Sequence, residues 1–190
     1  MTYHSAAKTP YIENFKQRGK PRDYYKDNNI NAFIFNVETD NIPKEFYKAE
    51  FVYLDLPYRK GYNEFNKRAK KKGKGYNYLA NRTLEIVKEL NLPFYIIAQK
   101  NTIKELKEYK LYELGFSVHN GMTTCLYSND NKLKAKDTDE LLKKLFIKYD
   151  LGLDFMCGYG NTGKYAIANK KKAILTDFNK KCIGYLYEIF

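Results

Sequence analysis

The residues best suited to chemistry surround a glycine-rich turn that follows a predicted strand at residues 152–156. That strand contains Asp154, the turn carries Gly158 and Gly160, and Asp177 follows the next predicted strand along the chain. In α/β folds, glycines in such a turn let a nucleoside ligand approach the backbone. A carboxylate at the end of the following strand can accept hydrogen bonds from its ribose hydroxyls. The pattern favours a nucleoside-binding site.

The same turn allows two other interpretations. Residues 158–164 also fit the spacing G-x-x-x-x-G-K of a phosphate-binding loop, but Tyr165 stands where that loop needs a Ser or Thr hydroxyl to hold Mg²⁺. A nucleotide hydrolase is therefore only the third-ranked function. A tight strand-to-helix turn that binds nothing is the plainer alternative.

A second candidate site is the tetrapeptide Asp55-Leu56-Pro57-Tyr58, directly after a predicted strand. It places a carboxylate, a proline and an aromatic ring together at the carboxyl end of that strand. The carboxylate and the Leu56 carbonyl can accept the two N–H hydrogens of an exocyclic amine, and the ring can stack on a planar base. The tetrapeptide is thus typical of a base-binding site, and a turn that merely ends the strand is the alternative.

A basic tract, residues 59–75, continues from this tetrapeptide and is interleaved with aromatic residues. Phosphate groups of a nucleic acid would neutralise such a tract, and phosphate contacts position a strand without reading its sequence. The net charge of +12 also favours a polyanionic partner. The eight cationic residues of the tract are Arg59, Lys60, Lys67, Arg68, Lys70, Lys71, Lys72 and Lys74.

The composition bounds the class of protein. The 190 residues, 44% of them hydrophobic, suit one packed core, and the composition excludes a disordered, collagen-like or coiled-coil chain. The apolar runs are too short to span a membrane, and the start of the chain has no secretory signal, so we expect a cytoplasmic protein without a membrane partner. Three cysteines without a C-x-x-C pair and two distant histidines predict neither a metal site nor a disulfide framework.

The elements that position these residues alternate between strands and helices. This alternation predicts an α/β fold with a mostly parallel central sheet flanked by helices. We expect an irregular N-terminal arm at residues 1–31 and a single catalytic domain at residues 32–190. The predicted strands are 32–37, 50–54, 94–98, 152–156 and 173–176, with an extended pair at 116–127. The predicted helices are 78–90, 102–114, 136–145, 161–169 and a last helix that runs to residue 190.

Together the two motifs resemble those of the DNA amino-methyltransferases, which methylate adenine N6 or cytosine N4. The catalytic motif of that family is Asp/Asn/Ser-Pro-Pro-Tyr/Phe, and the corresponding residues here are Asp55-Leu56-Pro57-Tyr58. Its cofactor motif is usually Asp-Pro-Phe-Cys-Gly-Ser-Gly-Thr-Thr, and residues 154–162 read Asp-Phe-Met-Cys-Gly-Tyr-Gly-Asn-Thr. The catalytic motif lies upstream of the cofactor motif, as in the β-type order of the family. The resemblance covers residues 32–190.

The resemblance implies a Rossmann-like methyltransferase fold with a circularly permuted motif order and S-adenosylmethionine as the cofactor. It implies methyl transfer to an exocyclic base amine, with adenine N6 in DNA ranked first. An RNA adenine methyltransferase and an inert nucleic-acid-binding subunit are the alternatives. The implied catalytic residues are Asp55, Leu56, Pro57 and Tyr58. The implied cofactor-binding residues are Asp154, Phe155, Cys157, Gly158, Gly160 and Asp177. The predicted helix 136–145 would line the cofactor's amino-acid end.

The chain departs from the family pattern in three respects. Leu56 replaces the first proline of the catalytic motif, and Phe155-Met156 replaces Pro-Phe in the cofactor motif. No segment between the two motifs is long enough for a separate target-recognition region. We therefore include a separate specificity subunit among the expected partners.

Overall fold

The computed structural model describes residues 24–26, 29–57, 76–100, 104–112, 117–118, 122–130 and 132–190. Within these ranges the strands are β1 (Tyr24–Lys26), β2 (Ile30–Ile34), β3 (Phe51–Asp55), β4 (Phe94–Gln99), β5 (Lys110–Tyr112), β6 (Ser117–Val118), β7 (Met122–Ser128), β8 (Leu151–Asp154) and β9 (Lys172–Asp177). The α-helices are α1 (Tyr76–Leu90), α2 (Thr138–Lys148), α3 (Asn161–Ala168) and α4 (Lys180–Ile189). Two 3₁₀ segments, Lys44–Lys48 and Lys104–Tyr109, complete the described elements.

The strands form a mostly parallel sheet in the order β1-β2-β9-β8-β3-β4-β7-β5, and β6 pairs with β7. All neighbours from β2 to β4 along this order are parallel, whereas β1, β5, β6 and β7 pair antiparallel with their neighbours. The predicted α/β fold with a mostly parallel sheet flanked by helices is confirmed.

The connections from the two central strands run in opposite directions. The chain leaves β3 through α1 and returns in β4, on one side, while it leaves β8 through α3 and returns in β9, on the other. Because β3 and β8 are neighbours, a crevice opens between the two connections at the carboxyl ends of these strands. In open α/β sheets this switch point is where ligands bind.

Two layers of apolar side chains cover the sheet, because successive strand residues point to opposite faces. On the first face, Val52 and Leu54 pack under α1 and the 3₁₀ segment Lys44–Lys48. On the second face, Phe51 and Tyr53 pack under α2, α3 and α4. The sheet is therefore the middle layer of a three-layer fold.

Side-chain caps fix where two of the second-face helices begin. The Asp137 carboxylate accepts a hydrogen bond from the Glu140 N–H at 2.8 Å before α2, and the Asn179 side chain accepts one from the Lys181 N–H at 3.0 Å before α4. Such caps satisfy N–H groups that have no partner within the helix. The helix predicted at 136–145 is confirmed as α2, beginning two residues later.

The predicted helix at residues 102–114 is wrong. The described part of this region is the 3₁₀ segment Lys104–Tyr109 followed directly by β5. Leu106 is fully buried, and Lys110 pairs with Tyr127 of β7. The ladder to β7 satisfies backbone groups that a helix would have satisfied locally, so a contact distant in sequence overrides the helical pattern.

The sheet also begins earlier than the expected domain boundary at residue 32. The strand β1 and the first two residues of β2 lie in the sheet, although the sequence placed them in the arm. Residues 1–23 lie outside the described residues. In the ranges that the structure describes, no helix is both long and apolar enough to cross a membrane.

Candidate functional site

Three carboxylates lie on the second face of the sheet, at the carboxyl ends of three adjacent strands. Strand alternation places Asp55 on the face of Tyr53, Asp154 on the face opposite Leu153, and Asp177 on the face of Leu175. This is the side of the sheet that α3 and α4 cover. The predicted site aspartates therefore lie at one edge, beside the switch point.

The strand register arranges these carboxylates as a cleft. Asp154 pairs with Leu175 in β9, and Leu153 pairs with Val52 in β3. Asp55 and Asp177 therefore each extend two residues beyond Asp154. The two outer aspartates belong to strands separated by β8, roughly 10 Å apart at two strand spacings. Asp154 forms the recessed floor between them.

Asp154 holds the turn that follows it. Only 4% of the residue is exposed. The Thr162 hydroxyl donates to its Oδ2 at 2.5 Å, and the Met156 N–H donates to its Oδ1 at 3.1 Å. Burial, with smaller contributions from the charges of Asp55 and Asp177, raises the pKa of Asp154 to about 7, although both hydrogen bonds oppose the shift. The carboxylate thus joins the end of β8 to the first turn of α3.

Asp177 is held in a fixed orientation by backbone donors. Its Oδ2 accepts from the Gly158 N–H at 3.0 Å, and its Oδ1 accepts from the Asn179 N–H at 2.8 Å. Burial raises its pKa, whereas hydrogen bonds from the backbone N–H groups of Asn179, Gly158 and Phe178 favour the ionised form. Because the two oxygens together have about four lone-pair sites, these donors leave at least one for a ligand hydroxyl.

The glycines of the turn have different roles. Gly158 and Gly160 both adopt the left-handed backbone region, with φ of 51° and 78°, which side chains disfavour. A Cβ at position 158 would meet no atom within 4 Å, whereas one at position 160 would lie 2.3 Å from Leu186 Cδ2. Gly158 therefore borders open space, and Gly160 lets α4 pack against the turn.

Asp55 lies at the mouth of the cleft. Its side chain reaches solvent, yet protein atoms crowd most of its surroundings, and this desolvation raises the pKa of Asp55 to about 6. The following residue, Leu56, is buried on the first face, and its N–H donates to the Ile97 carbonyl at 3.0 Å. The family motif has a proline at this position, and proline has no N–H to donate. Leu56 therefore adds one hydrogen bond between β3 and β4 that a proline could not form. Its carbonyl is then the backbone group left for a substrate.

Phe155 and Cys157 anchor the turn in the protein interior. The Phe155 side chain packs on the first face, stacked on Phe46 with ring centroids 5.7 Å apart. Cys157 is buried, and its N–H donates to the Thr176 carbonyl at 3.0 Å. Burial raises the pKa of the Cys157 thiol. The Phe155 side chain therefore faces the core rather than the cleft.

The remaining predicted site residues lie outside the described residues. These are Tyr58 and the cationic residues of the basic tract, Arg59, Lys60, Lys67, Arg68, Lys70, Lys71, Lys72 and Lys74. Pro57 is described and half-buried at the end of β3.

Three further residues of the site were not among the predicted site residues. Thr162 donates to Asp154, and a Cβ on Gly163 would lie 2.7 Å from Leu175 Cδ1. The spacing Gly158-x-Gly160-x-x-Gly163 fits the G-x-G-x-x-G fingerprint, whose third glycine permits close packing of helix and strand. Phe178 directly follows Asp177 and is 68% exposed. Its position after an acidic residue at a strand end was the available signal.

Comparisons with known proteins identify no family for the chain. No family model matches it, and no curated protein matches it. Among the solved structures to which the chain is similar are two of one protein. The structure of M1.HpyAVI is 15% identical, with a TM-score of 0.49, and the similarity covers 84% of this chain and 97% of that one. The M1.HpyAVI–SAM complex is 16% identical, with a TM-score of 0.47, covering 85% of this chain and 100% of that one.

Proposed function

We propose that this protein is an S-adenosylmethionine-dependent methyltransferase that acts on the exocyclic amine of a nucleic-acid base, with adenine N6 in DNA as its target. One observation carries the proposal. Asp55, Asp154 and Asp177 line one cleft at the switch point of a mostly parallel sheet, with a glycine turn at its side. Such a cleft suits a nucleoside ligand.

The Asp177 side of the cleft fits the nucleoside part of the cofactor. Asp177 keeps acceptor capacity beside its backbone donors, which suits a ribose hydroxyl. Gly158 borders open space, so its backbone can be approached closely, and the exposed Phe178 ring offers an apolar surface for an adenine. S-adenosylmethionine, when bound, supplies a methyl group activated by its sulfonium.

The Asp55 side of the cleft fits the base. The lone pair of an exocyclic amine is delocalised into the aromatic ring, so the amine is a poor nucleophile until it is oriented and polarised. Asp55 would accept one N–H, the Leu56 carbonyl would accept the other, and Tyr58 would stack on the extruded base. Extrusion from a duplex costs a few kcal/mol and is easiest from single strands. These residues act mainly by positioning the amine.

The net charge and the basic tract support a nucleic acid as the substrate. The chain carries +12 at pH 7, and its basic tract directly follows the base-binding tetrapeptide. The described residues do not favour DNA over RNA, because a pocket for a base accepts the same ring from either polymer. We therefore rank DNA first on the motif resemblance alone.

The deciding experiment is incubation of the protein with isotopically labelled S-adenosylmethionine and AT-rich duplex DNA, single-stranded DNA or RNA. Nucleosides are then identified by mass spectrometry. We expect N6-methyladenine from DNA, and label in RNA alone would move the substrate to RNA. A folded protein that binds the cofactor but modifies none of them would instead support an inert binding subunit.

Asp55→Ala should abolish transfer while cofactor binding persists, because Asp154 and Asp177 are unchanged. Single-turnover transfer at saturating cofactor separates the two effects, and a loss confined to turnover indicates an interaction used in the transition state. Glu85→Ala removes an exposed carboxylate of α1 and should transfer at the wild-type rate. Wild-type transfer by Asp55→Ala would refute this role.

A further inference from the structure

An extended lysine-rich segment joins β7 to α2. Along Lys132–Lys136, Lys132, Lys134 and Lys136 are exposed, whereas Leu133 and Ala135 pack against the second-face core. The alternation is that of extended backbone, in which every second side chain points the same way. We call Lys132–Lys136 the basic strip.

The basic strip runs alongside α2 toward the carboxyl edge of the sheet. The Lys148 ammonium at the end of α2 contacts Asp130 at 2.7 Å, and the Lys144 ammonium donates to the Lys134 carbonyl at 2.7 Å. Only two residues separate the end of α2 from the start of β8, so the end of α2 lies at the amino edge of the sheet. Its first turn therefore lies toward the cleft, and so does Lys136.

Acidic groups around the basic strip already have partners. Asp130 contacts Lys148 and accepts from the Tyr95 hydroxyl, and Glu140 contacts Lys144 at 2.7 Å. The Asp137 carboxylate caps α2. No close ion pair among the described residues engages the three lysines of the basic strip, although the charge of Lys136 also acts on Glu140. The charges of Lys132 and Lys134 in particular remain available to an anionic partner.

An open surface depression adjoins the end of the basic strip. It measures about 520 Å³ and is lined by Lys136 and the first residues of the α2 cap, Asp137, Thr138 and Asp139. Asp139 also reaches α3, because its carboxylate accepts a hydrogen bond from the Tyr165 hydroxyl and thereby raises the Tyr165 pKa, after the larger effect of burial. The strip thus leads into the same group of helices that covers the candidate site.

We propose that the basic strip is a contact surface for the phosphate backbone of the nucleic acid, separate from the basic tract. Alternate side chains of an extended segment are about 6.6 Å apart, which is close to the step between successive phosphates along one strand. A backbone that follows the strip is directed toward the carboxyl edge, where the base must enter. The inference rests on the proposed function only in taking a nucleic acid as the partner.

The test compares two triple variants that remove the same charge. Lys132→Ala/Lys134→Ala/Lys136→Ala removes the basic strip, and Lys44→Ala/Lys48→Ala/Lys88→Ala removes three exposed lysines from the first-face side. Affinity for a duplex DNA is measured across a range of KCl concentrations without cofactor, and melting temperature confirms folding. The slope of log affinity against log salt should flatten by up to roughly 0.9 per lost contact in the strip variant. The control should keep the wild-type slope.

Charge reversal provides a second variant at a single position. Lys134→Glu should weaken DNA binding at least several-fold at low salt, because it places a repulsive carboxylate at the centre of the strip. The matched reversal Lys48→Glu should change affinity much less. Equal slopes in both triple variants, or equal losses in both reversals, would overturn the proposal.

Parallel measurements separate this proposal from the enzymatic one. A wild type that methylates DNA while the strip and control variants share one slope overturns the strip alone. A strip-dependent slope without any methyl transfer supports the strip and contradicts the methyltransferase. Binding of the strip to anionic lipid vesicles with no binding to DNA would replace the nucleic acid with a membrane surface and overturn the proposal.

Discussion

Asp55 and Asp177 extend two residues further along their strands than Asp154 does. Asp154 is therefore the most deeply buried of the three carboxylates. Its position between Asp55 and Asp177 makes its ionisation unfavourable, because burial and two nearby negative charges act together. Its ordinary pKa of 3.8 is raised to about 7 in the folded protein. A carboxyl group of this kind reduces the free energy of unfolding as pH rises from about 4 through 7.

Asp154→Asn should therefore remove part of the loss of stability between pH 6 and pH 8. For a folded pKa near 7, the wild type loses roughly 1 kcal/mol through this group over that interval, or a few °C in melting temperature. The Asn side chain still offers an oxygen to the Thr162 hydroxyl. Thermal melts at both pH values, without cofactor, measure the difference.

The control for this prediction is Glu85→Gln, which neutralises an exposed carboxylate that pairs with Arg82 on α1. It should keep the wild-type pH dependence. If Asp154→Asn loses as much stability from pH 6 to pH 8 as the wild type does, Asp154 is not the ionising group.

Individual site residues differed in how far the sequence could reveal them. The positions of Asp55, Asp154 and Asp177 could be predicted because an acidic residue at the end of an apolar run can be recognised in the sequence alone. Thr162 could not, since its hydrogen bond to Asp154 depends on how α3 leaves the turn. The orientation of Phe155 toward the core follows from strand alternation, because Phe155 lies two residues after Leu153 and shares its face.

The turn between β8 and α3 is held from behind by α4. Leu186 and Phe190 lie against Gly160, Phe190 also lies against Gly163, and the rings of Tyr159 and Tyr185 meet edge to face at 5.3 Å. The C-terminal helix thus supports the wall of the cleft.

Gly158→Ala and Gly160→Ala should have separable effects. Both place a Cβ in the left-handed region, at a cost of roughly 1–2 kcal/mol, but only the alanine at position 160 also clashes with Leu186. We expect the larger loss of melting temperature from Gly160→Ala. Gly158→Ala should instead reduce S-adenosylmethionine affinity more than its loss of stability would explain. The reason is that the alanine methyl group enters the space open to a ligand.

A double-mutant cycle tests the packing part of this prediction. Leu186→Ala should cost less stability in the Gly160→Ala background than in the wild type, since it makes room for the new methyl group. If the stability losses of the two substitutions simply add, the new methyl group at position 160 does not clash with Leu186. Calorimetry with S-adenosylmethionine on the folded variants completes the comparison.

At the scale of elements, local pattern predicted the existence of all four α-helices, α1 to α4, and the strands of the parallel core. It failed at residues 102–114, where the ladder between β5 and β7 joins Lys110 to Tyr127. Periodicity describes only how a segment could bury its own side chains. The pairing of β5 with the outer edge of β7 depends on residues outside the segment 102–114, so the pattern of that segment could not predict it.

The charge of the whole molecule provides the next prediction. Replacement of Lys70, Lys71, Lys72 and Lys74 with Ala should flatten the salt dependence of DNA affinity by up to roughly 0.9 per lost phosphate contact. The same titration on the Lys44, Lys48 and Lys88 control separates local contacts from the effect of net charge. An unchanged slope and affinity would leave the basic tract as a solvated loop.

The order of strands in the sheet could be anticipated only through the motif resemblance. Neighbours β3 and β8 are far apart in sequence, and neither segment encodes the other as its partner. Connections between strands that are consecutive in the chain explain the neighbours β3 and β4, and likewise β8 and β9, because such strands usually lie side by side. They do not explain why the two pairs join along β3 and β8, where the cleft opens.

Strand alternation places the candidate site on one face of the sheet and an apolar core on the other. All three carboxylates of the cleft point to the second face, while the first face beneath α1 is built almost wholly from apolar side chains. Directed evolution can therefore select for thermal tolerance in a library confined to first-face positions such as Ala80 and Val87. Adaptation to a new temperature and adaptation to a new substrate can then follow separate mutational routes in the same chain.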